Sequence, residues 1–132
     1  MGRRRTLRID AELASLRQPR VFHAAPGMLV DAGFESTWIP RALLEDAGVR
    51  RAKELAFRKA NGEIVERSVG FAILRAGGFE TVDEVVFGEP GDVALLGART
   101  LLGFGARIDA RAKRLVPCGP HPAAVALVSA GA

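Results

Sequence analysis

Asp31 is the side chain whose type and setting best suit it to chemistry. Met28-Leu29-Val30 runs apolar into Asp31-Ala32-Gly33, and Ser36-Thr37-Trp38-Ile39-Pro40 then resumes an extended run, so a strand ends in an acidic turn. One such loop supplies half of a two-carboxylate site, and a symmetric homodimer supplies the other half. The same three letters recur at Asp46-Ala47-Gly48, but there they follow Leu43-Leu44-Glu45 at helical spacing and mark a helix terminus. Cys118 is alone and cannot close an intrachain disulfide, and with His23 and His121 it makes no zinc spacing. No metal and no cofactor are expected, and the two histidines read as ordinary strand and tail residues.

The elements that must position Asp31 follow from periodicity and turn chemistry. Leu7, Ile9, Ala11 and Leu13 alternate with Arg8, Asp10 and Glu12, the period of a strand with one wet face. Arg17-Gln18-Pro19-Arg20 reads as a turn. Val21–Ala25 and Met28–Val30 form a second strand whose Pro26-Gly27 interruption implies an edge or a bulge. Pro40 sits in the first turn of a short helix over Arg41–Ala47 that Gly48 closes.

Leu55 and Phe57 lead into Ala60-Asn61-Gly62-Glu63, where Asn-Gly between extended runs signals a hairpin with its return strand from Ile64 towards Leu74. Gly77-Gly78 makes the next turn, Val82–Phe87 the next strand, and Gly88-Glu89-Pro90-Gly91 another turn. Val93-Ala94-Leu95-Leu96-Gly97 reads as a buried strand, Arg99–Phe104 as a short helix, and Arg107–Val116 as a final hairpin. The sum is mostly β with one or two short helices, the composition of a closed or folded-over barrel.

At 132 residues the chain fits one domain. With 48% hydrophobic and 26% charged residues, and no apolar run near the 18 or so that a membrane helix needs, it reads as soluble and without a membrane partner. Met1-Gly2-Arg3-Arg4-Arg5 is basic, but Thr6-Leu7-Arg8-Ile9-Asp10 lacks the apolar core of a signal peptide, so the cytoplasm is the expected compartment. The net charge of +4 permits contact with nucleic acid without demanding it. The cations look scattered among acids, only Arg3–Arg5 form a run, and seven Phe with one Trp offer few stacking groups, so nucleic acid is not the expected partner. The tail 118–132 is small, apolar and uncharged, and is either without regular structure or a strand at an interface.

Four of these features in this order resemble the retropepsin-like aspartic proteases, homodimeric peptidases of retroviruses that also occur as stand-alone bacterial proteins. They are the apolar strand into Asp31-Ala32-Gly33, the helix opening at Pro40-Arg41, the Asn61-Gly62 hairpin, and Leu95-Leu96-Gly97 before a short helix. The likeness covers residues 6–117. It implies a closed acid-protease barrel, Asp31 as the catalytic acid within the loop Asp31-Ala32-Gly33, and a flap at Ala60, Asn61, Gly62 and Glu63. Phe34, Glu35, Leu95, Leu96 and Gly97 become neighbours of the cleft, with Glu35 and Arg99 forming an architectural ion pair.

The implied reaction is hydrolysis of a peptide or protein substrate by water held between two Asp31 carboxylates. One base and one acid must face the same water, and like charges so close share one proton. The chain departs from the family at two positions. Ala32 stands where the family has Thr or Ser, removing a hydroxyl that bonds across the dimer axis, and Phe34 replaces a small residue beside the cleft. The resemblance thus also admits a weakly active or inactive dimer that binds extended peptides by strand addition, while the basic balance admits a nucleic-acid-binding β domain. Trp38, Leu95 and Leu96 fall on alternating apolar positions and read as core.

Overall fold

The computed structural model describes residues 6–127; the basic run at 1–5 and the end of the apolar tail lie outside the described residues. The alternation from Leu7 becomes β1 (Thr6–Ser15), antiparallel to β2 (His23–Asp31). Ile9 faces Met28 and Ala11 faces Ala25, so Asp10 alone opposes Pro26 and Gly27. This is the bulge implied by Pro-Gly in a strand, and Gly27 meets it at φ +62° while its N–H donates to Asp10 Oδ1 at 2.9 Å. Val21 and Phe22 precede the strand rather than joining it, because pairing with β1 begins at His23.

The chain continues through β3 (Thr37–Pro40), α1 (Arg41–Asp46), β4 (Lys53–Arg58), β5 (Ile64–Ala76) and β6 (Phe79–Gly88). Then come β7 (Leu95–Leu96), α2 (Ala98–Phe104), β8 (Ala106–Asp109) and β9 (Arg114–Pro117). The fold is mostly β. Pro40 is the residue before α1 rather than inside it, and α1 stops at Asp46 with Gly48 at φ +80°. The copy of the Asp-Ala-Gly triplet there is a helix end, with Asp46 exposed and Ala47 packed in the core.

Pairing runs around a ring, β1-β2-β7-β3-β6-β5 and back to β1. The 13 residues of β5 make closure possible. Val69–Ala76 pair with β6 on one edge, while on the other Ile64–Val69 pair with β4 and Ala72–Ala76 with β1. β4 is therefore outside the ring, and the β4–β5 hairpin extends from it. Leu13, Val30, Ile39, Leu74, Val85, Phe87 and Leu96, each 1% exposed or less, belong to the core that the ring shares with Leu44 of α1.

Two hairpin turns fall where they were expected but differ in length. Gly77 and Gly78 both have positive φ, 57° and 86°, and join Ala76 to Phe79 as the tight two-residue turn that favours the right-handed twist of a hairpin. Asn61-Gly62 instead lies in a five-residue loop set by the Arg58–Ile64 register. Gly62 alone takes the left-handed conformation, its N–H donating to Lys59 O at 2.9 Å.

The strand expected over 93–97 is a correction: only Leu95 and Leu96 pair, and Val93 is 59% exposed. Partners for a longer strand are missing, since β2 ends at Asp31 and β3 offers only Trp38 opposite Leu95. Residues 118–127 form no helix or strand. No helix among the described residues is long and apolar enough to cross a membrane.

Candidate active site

β2 and β3 are joined by residues 32–36 but do not pair with each other. β7 is inserted between them, parallel to β2 through Leu29–Leu95 and Val30–Leu96 and antiparallel to β3 through Trp38–Leu95. The loop carrying Asp31 therefore arches over the end of β7. Asp31 is 2% exposed, the one fully buried carboxylate among the described residues, whereas Ala32, Gly33, Phe34 and Glu35 are exposed around it. A buried carboxylate is costly unless hydrogen-bonded, and Gly33 N–H donates to Asp31 Oδ1 at 2.8 Å. The turn is closed by Phe34 N–H on the Asp31 carbonyl at 3.2 Å.

The rest of the loop is sewn to α2. That helix begins after Gly97, which has no side chain to cap it, so its first N–H groups need other acceptors. Phe34 O accepts from Ala98 N–H at 2.7 Å and Glu35 O from Arg99 N–H at 3.1 Å. Such close approach needs glycine at 97: a Cβ there would sit 2.4 Å from Ser36 O and 2.8 Å from Glu35 O. Leu95 and Leu96 are buried behind the loop at 3% and 1%. The Arg99 guanidinium lies 3.7 Å from Glu35 and 3.6 Å from Glu84, and donates to Ser36 Oγ at 3.2 Å. The expected Glu35–Arg99 pair is present on an exposed rim.

Beneath the loop runs a polar chain that periodicity did not signal as functional. Gly97 N–H donates to Thr37 Oγ1 at 2.9 Å, the Thr37 and Thr100 hydroxyls bond each other, and Thr100 Oγ1 donates to Asp83 Oδ2 at 2.7 Å. Each hydroxyl has one proton, so the direction is settled: Gly97 to Thr37 to Thr100 to Asp83. Both threonines are fully buried. The available signal was Thr37 itself, a polar residue two positions from Ile39 on an inward-facing strand and therefore in need of a partner.

The hairpin tip is separate. Ala60, Asn61, Gly62 and Glu63 are exposed, and the bonds at the tip are those of the hairpin, including Asn61 Oδ1 accepting from Glu63 N–H at 2.9 Å and Lys59 paired with Glu63 at 2.8 Å. Lys59 holds the Glu63 carboxyl below its ordinary range through their hydrogen bond and charge attraction. Trp38 of β3 meets Phe57 of β4 edge-on, centroids 4.8 Å apart, which ties the hairpin stem to the strand after the acidic loop.

Ala32 borders an open cavity of about 450 Å³ against α2 and β8 that Leu101, Cys118 and His121 also line. Asp31 does not line it. Among the described residues no group of three His, Cys, Asp or Glu side chains is placed to hold a metal ion. Compared with protein-family models, curated proteins and solved structures, the chain matches none.

Proposed function

We propose that the chain is a retropepsin-like aspartic endopeptidase acting as a homodimer, with Asp31 of each protomer contributing to one water-activating pair in a closed acid-protease barrel. The observation that carries this reading is the buried Asp31 at the end of β2, in a loop that arches over an inserted β7 and is bonded to the first turn of α2. That arrangement spends stability on an enclosed carboxylate and holds it on strands rather than on a loose loop. Preorganised positioning of this kind is what a general acid–base pair needs. In the dimer one carboxylate takes a proton from water while its protonated partner donates to the peptide carbonyl oxygen. The Ala60–Glu63 hairpin serves as the flap.

A second reading, an inactive dimer that holds extended peptides, draws on the same loop. At 2% exposure Asp31 offers a substrate little surface, while Phe34 is 45% exposed and presents an apolar ring beside it. Incubation with a denatured protein mixture at mildly acidic pH separates the two. The peptidase reading expects cleavage that a statine-type transition-state mimic blocks and that Asp31→Asn abolishes while the variant folds normally. Cleavage persisting in Asp31→Asn excludes it, and peptides retained uncut favour the second reading.

A further inference from the structure

We propose that the β8–β9 hairpin is a docking surface for the phosphate backbone of duplex DNA, a property independent of the peptidase reading. Residues 6–127 carry 16 basic and 15 acidic side chains, while the eight residues 107–114 carry four and one. The hairpin is thus +3 and the remainder of the described chain −2. Arg107, Arg111, Lys113 and Arg114 are all exposed. Among the described residues none of the four has a carboxylate within 4.0 Å, unlike Arg41 with Glu89 at 2.8 Å or Arg75 with Glu80 at 2.7 Å.

The one acid in the segment builds the turn. Asp109 Oδ1 accepts the N–H groups of Ala112 at 3.0 Å and Arg111 at 3.1 Å, and Arg107 and Arg114 attract its carboxylate only from beyond 4.0 Å, so the segment keeps its net +3. Lys113 adds a second indication. At φ +54° it is the one non-glycine residue among those described in the left-handed region, where glycine or asparagine fits at lower cost. The strained position puts a cation at the hairpin tip.

The shape selects the polyanion. β8 and β9 pair only with each other, a two-stranded antiparallel ribbon seated on the core through Ala106, Ile108 and Leu115, and the exposed tip of such a ribbon fits the major groove of B-form DNA, which is about 12 Å wide. The corresponding groove of duplex RNA is too narrow. No Phe, Trp or Tyr occurs between 105 and 127 to stack the bases of a single strand. A lipid surface would call for apolar groups to insert, but the tip offers only Ala110 and Ala112, and Ile108 is buried at 3%.

The test is fluorescence anisotropy of a labelled DNA duplex with the full chain, titrated between 50 and 200 mM salt. Four phosphate contacts give a slope of log affinity against log salt of roughly −3.6, a loss of about 10²-fold across that range. Arg111→Gln/Lys113→Gln/Arg114→Gln, all exposed positions, is expected to keep the wild-type circular dichroism and melting curve while its slope falls to roughly −0.9. Lys113→Gly is expected to weaken binding while raising the melting temperature. Any of three results overturns the proposal: no binding at 50 mM salt, wild-type affinity in the triple variant, or retention on anionic vesicles without retention on the duplex. Loss of binding on replacing Arg3–Arg5 by Gln while the triple variant still binds also overturns it.

Discussion

Arg67 and Asp92 meet at two points, Nε to Oδ2 at 2.7 Å and Nη2 to Oδ1 at 3.0 Å, with both side chains less than one-fifth exposed. Asp92 Oδ2 also accepts Glu89 N–H at 2.7 Å, so this carboxylate pins the loop before β7 to the stem of the β4–β5 hairpin. The Arg67 hydrogen bond, with help from the Glu89 N–H, holds the Asp92 carboxyl below the usual range against the opposing effect of burial, and Asp92 in turn raises the Arg67 guanidinium.

Asp92→Asn is expected to cost about 1–2 kcal/mol in urea unfolding, within the range of charge-assisted hydrogen bonds. A carboxyl whose pKa is lower folded than unfolded stabilises the fold above the unfolded value, about 3.9, and the contribution is lost as pH falls through the folded value. The difference between wild type and Asp92→Asn should therefore be flat above about pH 5 and shrink below about pH 4. Amide exchange along β4 should quicken in the variant, since the hairpin loses its anchor to the ring.

The chain from Gly97 through Thr37 and Thr100 to Asp83 is fully directed, so removing a link strands its neighbours. Thr100→Val is expected to destabilise by about 2 kcal/mol, because a buried hydroxyl and a carboxylate oxygen lose their partner. Thr37→Val should cost a similar amount by orphaning the Gly97 N–H. The double variant should cost less than the two together, and a double-mutant cycle by thermal unfolding reads that coupling directly.

Gly97→Ala places a methyl group against backbone oxygens of the acidic loop rather than against a side chain that can turn away. Stability should fall by about 1–3 kcal/mol, and more than for Gly91→Ala or Gly62→Ala measured as references for left-handed strain in open space. A Gly97→Ala protein as stable as wild type would contradict the close seating of residues 35–36 on α2.

Ala32→Thr adds a hydroxyl at an exposed position beside Asp31. If two loops face each other across a twofold axis, one added hydrogen bond of about 1 kcal/mol tightens the dimer by about fivefold. Sedimentation velocity over a concentration series measures this. Unchanged association counts against that loop geometry.

Much of the fold was legible because its signals are local. The wet-face alternation of β1, the Pro-Gly bulge in β2, Gly48 after α1 and Gly77-Gly78 between β5 and β6 each reflect backbone preferences acting over two to four residues. Asp31 stood out for the same reason, an acid directly after an apolar strand. Asn61-Gly62 marked a hairpin that the structure contains, with the loop length set by the Arg58–Ile64 register. A local signal misled where the deciding partner was distant: Val93 looked like strand but finds no neighbour to pair with.

By itself, the order of residues determined the mostly-β class, the positions of most turns and the choice of Asp31 as the candidate acid, since these depend on side-chain period and on glycine and proline conformations. Tertiary structure alone decided that β7 enters between β2 and β3, that Thr37 bonds Thr100 across 63 positions, and that the last hairpin gathers four exposed cations with no carboxylate among the described residues within 4.0 Å. The reason is physical. Hydrogen bonds and charges are satisfied by whatever lies within about 3–4 Å in space, and ring closure sets those neighbours only after the whole chain has folded.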